Sequence, residues 1–139
     1  MRFAGRVHKD GKFWLAEVPI FEAITQGRTR SEAFLMVVDW FKTMANEPGF
    51  RISIVGKKGD EFHITSQDSR TLIRLLLQRR REISGLSLGE VAKRLGAKSR
   101  NAYARYESGR SVPTFEKLDE LLQAVSPGKD FLIQETVTA

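Results

Sequence analysis

The sequence predicts an α+β chain of two small modules: a small antiparallel sheet with one helix, in the order βββαββ, followed by an all-α group of short helices. Three observations lead there. Up to about Gln67, segments that alternate apolar and polar residues are separated by Asp10-Gly11 and Gly56-Lys57-Lys58-Gly59, with one capped helical run between them. Beyond Asp68 the apolar spacing changes to three and four residues, and a glycine or proline closes each run. The length of 139 residues suits one ordinary domain or two small ones.

In the first module, residues 1–67, Arg2–Val7 alternates weakly, as an edge strand does, and His8–Lys12 turns the chain through Asp10-Gly11. Phe13–Val18 is rich in aromatic residues and stops at Pro19, which makes it a second strand. A short third strand runs through Ala23-Ile24-Thr25 and closes at Gly27. Thr29-Arg30-Ser31-Glu32 is a capping box: the Thr29 hydroxyl accepts the Glu32 backbone N–H and the Glu32 side chain reaches back. Ala33, Val37, Trp40 and Met44 then recur at helical spacing, as do Phe34, Val38 and Phe41, until Asn46-Glu47-Pro48-Gly49 ends the helix. A face this broad is either a thick core face or one buried on two sides, against the sheet and against a partner. Phe50–Val55 and Glu61–Thr65 alternate again around Gly56–Asp60, a hairpin.

The second module, residues 68–128, starts after Ser66-Gln67-Asp68-Ser69. Leu72, Leu75, Leu76 and Arg79 share one helical face, Gln78-Arg79-Arg80-Arg81 makes the helix end basic, and Ser84-Gly85 breaks it. Ser87-Leu88-Gly89-Glu90 is a second capping box, followed by Leu88, Val91, Ala92 and Leu95 on one face and Gly96 as the stop. Ser99 caps the next helix, with Tyr103 and Tyr106 inward and Gly109 at its end. Pro113-Thr114 opens a last helix with Leu118, Leu121, Leu122 and Val125 on one face, stopped by Pro127-Gly128. The tail, residues 129–139, contains the β-prone Phe131–Val137, which reads as an extra strand, exchanged between subunits or not, or as a frayed end.

Composition narrows the function. Apolar residues at 41% and charged residues at 29% are those of a folded globular chain, so global disorder is excluded. With no cysteine there is no disulfide scaffold, thiolate zinc site or cysteine nucleophile. No apolar run approaches the roughly 18 residues that span a bilayer. Met1-Arg2 leads into alternating residues without an apolar leader, so no signal peptide, no membrane partner and a cytoplasmic location are expected. The net charge of +6 is unevenly spread: residues 70–110 hold eleven Lys/Arg against three acids, a net of +8. That stretch favours an anionic partner such as nucleic acid. The Arg79-Arg80-Arg81 run alone says little, because such runs are commonly solvated faces.

Two short capped helices joined by a glycine-containing turn make a helix-turn-helix, in which the second helix presents its outward, N-terminal side chains to the major groove. With Tyr103 and Tyr106 inward, the base-reading positions are Arg100, Asn101, Ala104 and Arg105. Arginine can donate two bonds to guanine and asparagine can pair with adenine. Ser87, Lys98, Ser99, Ser108 and Arg110 lie at helix starts and loop edges, where phosphate contacts are usual. From Leu86 to Gly109, the order Leu86-Ser87, Ala92-x-x-Leu95-Gly96, Ser99-Arg100 and Glu107-x-Gly109 resembles the Cro/C1-type (XRE) repressor helix-turn-helix, over roughly Leu72 to Val125. Two features depart from that pattern: an extra residue near Lys98 lengthens the turn, and Ser87 stands where many members carry glutamine.

The first module resembles the HicB antitoxin domain. The hairpin with Gly11 and Trp14 carries the resemblance, together with Thr25-Gln26-Gly27-x-Thr29-x-x-Glu32-Ala33 opening the helix. The resemblance implies a partial RNase H-like fold, homo-oligomerisation, masking of a small HicA-like ribonuclease toxin and repression of the shared operon. The sheet edge or the wide helix face, with Phe34, Val38 and Phe41, is then the partner-binding surface. The expected function is a type II antitoxin and autorepressor; the alternative is a stand-alone repressor whose first module senses a ligand or assembles the oligomer.

Catalysis is not expected, and neither is a metal or cofactor. RNase H-type chemistry needs several convergent carboxylates, and Arg2–Val7 has none. Asp10 sits in a turn, Glu17 and Asp39 are the one pair that could approach each other, and His8 and His63 lack partners at ligand spacing. A single helix-turn-helix reads only a few base pairs, so a homodimer or higher oligomer on operator DNA is expected.

Overall fold

Period-two alternation becomes a five-stranded antiparallel sheet with the strand order β3-β2-β1-β5-β4. Its strands are β1 (Phe3–Asp10), β2 (Phe13–Val18), β3 (Ala23–Gly27), β4 (Ser53–Lys58) and β5 (Glu61–Thr65). Helix α1 (Arg30–Ala45) lies between β3 and β4 in the chain, giving the expected order βββαββ. The computed structural model describes residues 1–137, which fall into two units, residues 1–72 and 73–137. The dividing point is Leu72, inside helix α2 (Ser69–Ile83), a few residues beyond the change of pattern at Asp68.

β1, read from its weak alternation as an edge, is the central strand. It pairs with β2 through Arg6↔Glu17 to Asp10↔Phe13 and with β5 through Phe3↔Ile64 to Arg6↔Glu61. The weak pattern has a local cause: Gly5 is one of its inward positions, and the Phe62 ring fills the space a side chain there would take. β4 also differs from the reading. It starts at Ser53 rather than Phe50 and runs on to Lys58 through a register shift between Val55 and Lys58, with Gly56 at φ 59°. Phe50 and Ile52 are buried without belonging to the strand. Between β2 and β3, Pro19–Phe21 forms a 3-10 turn that sinks Phe21 into the core, where its ring meets Phe3 at 5.2 Å and Phe41 at 4.8 Å, both edge-on.

α1 covers one face of this sheet. Ala33, Phe34, Val37, Phe41 and Ala45 are buried, and Phe34 packs edge-on against Phe62 at 5.1 Å. Its start is fixed by close approach to β3. A Cβ on Gly27 would collide with the Ala33 nitrogen, and the Thr25 hydroxyl donates to Ala33 O or Ala16 O. Thr29 accepts the Glu32 N–H at 3.0 Å, the first half of the capping box. Asn46 ends the helix in the left-handed region at φ 46°.

The second unit comprises most of α2, then α3 (Leu88–Arg94), α4 (Asn101–Glu107) and α5 (Phe115–Val125). Leu75, Leu76, Leu77, Val91, Ala92, Tyr103, Tyr106, Leu121, Leu122 and Val125 form its core. Thr114 caps α5 through the Lys117 N–H. The β-prone Phe131–Val137 adopts no strand; the last two residues of the tail, 138–139, lie outside the described residues.

Candidate nucleic-acid interface

α3 begins with a complete capping box: Ser87 Oγ accepts the Glu90 N–H at 3.0 Å and Glu90 accepts the Ser87 N–H at 3.2 Å. Such a cap contributes about 1 kcal/mol and fixes where the helix starts. Gly96, at φ 76°, turns the chain out of α3 while Ala97 N–H donates back to Ala92 O. The turn then runs to Arg100. Ser99 Oγ accepts the Asn101 N–H at 3.2 Å, so it caps from one residue before the helical boundary, which falls at Arg100.

Buried Tyr103, Tyr106 and Glu107 anchor α4 from below. The opposite side carries Asn101 and Arg105, both exposed, with half-buried Ala104 beside them and exposed Arg100 at the helix start. Arg105 is held in place by its own neighbour: its guanidinium lies 5.0 Å from the Tyr106 ring centroid and donates to the Tyr106 hydroxyl at 3.3 Å. Lys98, Ser99 and Arg110 are exposed at the two ends of α4. Ser87 is exposed with its oxygen engaged in the cap, and Ser108 donates its proton to Arg105 O at 3.1 Å. Of the nine positions expected to read bases or hold phosphates, eight lie on α4 or at its ends, whereas Ser87 caps α3 and Ser108 has its donor directed back into α4.

The arginine run at the end of α2 is built into the fold rather than spread over a solvated face. Arg80 is 9% exposed and donates to Ser126 Oγ at 2.8 Å. Arg81 Nε meets both Glu107 oxygens, at 2.9 and 3.0 Å, and its Nη1 donates to Leu86 O at 2.9 Å. One guanidinium thus ties the end of α4 to the residue preceding the α3 cap. Arg94 likewise donates to Ala124 O at 2.9 Å, joining α3 to α5. Burial pushes the Glu107 carboxyl above its usual range, against the opposing bond and charge of Arg81. Burial alone would lower Arg81, but its hydrogen bond and attraction to Glu107 hold it above its ordinary value. Burial, followed by the negative charge of Glu107, also raises Tyr103. Sequence reading missed these roles because Arg81 and Glu107 are 26 residues apart.

The expected partner surface on α1 needs correction. Phe34 and Phe41 belong to the core, packed against Phe62 and Phe21, and are closed to a partner by the fold of the first unit. Val38 is half-buried, and the apolar side chains that α1 exposes are Leu35, at 68%, and Met36, at 42%. Glu17 and Asp39 do not approach each other. Glu17 alternates with buried Ala16 and Val18 and so faces away from α1, while Asp39 is exposed on α1. Asp10 ends β1. His8 and His63 also lie on the sheet face away from α1, each with a buried Nδ1 that no hydrogen bond satisfies. Among the described residues no three His, Asp or Glu side chains gather as a metal site would require, and no helix is long and apolar enough to cross a membrane.

The geometry of the second unit is that of a DNA-binding regulator. Residues 77–125 match the family model described as helix-turn-helix, which spans the end of α2 through α5. No curated protein matches the chain.

Proposed function

We propose that this chain is a repressor that doubles as an antitoxin. Its second unit binds the operator of its own operon, and its first masks a small HicA-like ribonuclease in the cytoplasm. One observation carries the DNA-binding half: α4 stands on a buried Tyr103–Tyr106–Glu107 base and holds Asn101 and Arg105 outward, with Arg100 at its start. Arg100, Asn101 and Arg105 read bases past the small Ala104, while Lys98, Ser99 and Arg110 hold phosphates, with Ser87 and Ser108 at the edge of the contact. The masking half is supported by the likeness of Gly11, Trp14 and Thr25–Ala33 to HicB antitoxins and by the order βββαββ. Leu35 and Val38, one helical turn apart on α1, supply the apolar contact for the toxin. No catalytic step, metal or cofactor enters this function.

The test is an affinity pull-down of the tagged chain from its own cells, after nuclease treatment, with a gel shift on DNA from upstream of its gene. A stoichiometric small basic ribonuclease and a specific shift are the expected results. A specific shift without a stoichiometric partner would remove the antitoxin half and leave a stand-alone repressor whose first unit senses or assembles.

A further inference from the structure

The two edges of the sheet are built differently. β4, at one edge, carries Lys57 and Lys58, a register shift and a glycine at φ 59°. These are the devices that keep an edge from pairing with another chain: charge, a bulge and a kink. β3, at the other edge, has none of them. Ala23-Ile24-Thr25-Gln26-Gly27 is uncharged, contains no proline, and pairs with β2 in unbroken register from Trp14↔Gly27 to Val18↔Ala23. Among the described residues β2 is its only strand neighbour.

Apolar side chains flank this edge on both faces. Ile24 is 65% exposed on the face away from α1. On the other face α1 meets β3 at Gly27 and Ala33, and Met36, three residues on from Ala33, is exposed on that side of the helix. We propose that β3 is a self-association edge: β3 of a second copy of this chain pairs with it antiparallel about a two-fold axis and joins the two sheets into one. The choice of a second copy follows from the strand. A neutral edge meets its own image without like-charge repulsion, and an isologous contact needs a patch complementary to itself. Ile24 of each copy then packs on one face of the joined sheet and Met36 of each on the other. The inference rests on the sheet edge and not on what the second unit binds, so a dimer joined here that ignored operator DNA would leave it standing.

Sedimentation velocity on the full chain tests it. The double substitution Ile24→Lys and Gln26→Lys puts two like charges on exposed positions of the edge in each copy. The expected result is a wild-type dimer at micromolar concentration and at least a ten-fold weaker one for the variant. Circular dichroism and melting temperature should be unchanged at a concentration where both are monomeric. Ser53→Lys, on the β4 edge, should leave the dimer intact. Amide exchange in the wild type gives a second readout, since alternate β3 N–H groups become protected only on dimerisation. A wild-type monomer at about 100 μM, or a dimer indifferent to the β3 lysines and with exposed β3 amides, overturns the proposal.

Discussion

Gly27 shows how a single residue sets the approach of two elements. Its missing side chain lets the first turn of α1 settle on β3, with the Ala33 nitrogen where a Cβ would be. Because the obstructing atoms are backbone, no rotamer change relieves the clash. Gly27→Ala should cost about 1–3 kcal/mol, read as a lower midpoint in denaturant unfolding. The Arg81–Glu107 pair works differently, since its value depends on a match made far along the chain. Arg81→Ala leaves a buried carboxylate without its partner and should destabilise the second unit by about 3 kcal/mol, measured by thermal unfolding. The pH dependence has a definite sign. A carboxyl raised in the folded state favours folding while protonated, and that contribution fades as pH rises through its folded value. The stability of the wild type relative to Glu107→Gln should therefore fall as pH rises above the ordinary carboxylate range. A rise would mean that Arg81 dominates the site. From sequence, Gly27 was legible as the end of a strand and Arg81 as one charge in a run; neither pattern names the atom that each residue faces.

At the scale of elements, what was legible depended on where the signal lies. Both helix starts at Thr29 and Ser87 were readable because capping is local, and the structure completes the reciprocal bond at Ser87. Ser87→Ala should thus cost about 1 kcal/mol by the loss of α3's cap, detectable in urea unfolding with the slope unchanged. The position of β1 in the sheet was not readable, since strand order is decided by partners distant in sequence, here β5. The width of the α1 stripe was read correctly as a large apolar surface, but the surface feeds the core through Phe34 and Phe41 and leaves other side chains outside. For the recognition helix, Arg100→Ala should weaken operator binding by about 1–3 kcal/mol with loss of discrimination at one base pair. Lys98→Ala should weaken binding evenly across sequences and flatten the salt dependence by about one unit of slope. Titrations of operator and random duplex at several salt concentrations separate the two.

Across the whole molecule, the sequence pattern changes from period two to helical spacing near Asp68, and the structure's two units are residues 1–72 and 73–137. The charge map was less faithful. The net of +8 in residues 70–110 includes Arg80 and Arg81, which spend their charge inside the fold, and Arg94, bonded to a backbone carbonyl. The exposed cations Lys98, Arg100, Arg105 and Arg110 lie on α4 or at its ends. That helix has one more consequence. At seven residues it is roughly half the length at which an isolated helix becomes marginally stable in water. It has no existence apart from the tyrosines beneath it and the arginine at its end. Warming that loosens this support dissolves the helix itself, so DNA binding by this unit should end at the melting of some sixty residues, and bound DNA should push that temperature upward by mass action. The DNA-binding unit carries its own thermal limit in that helix.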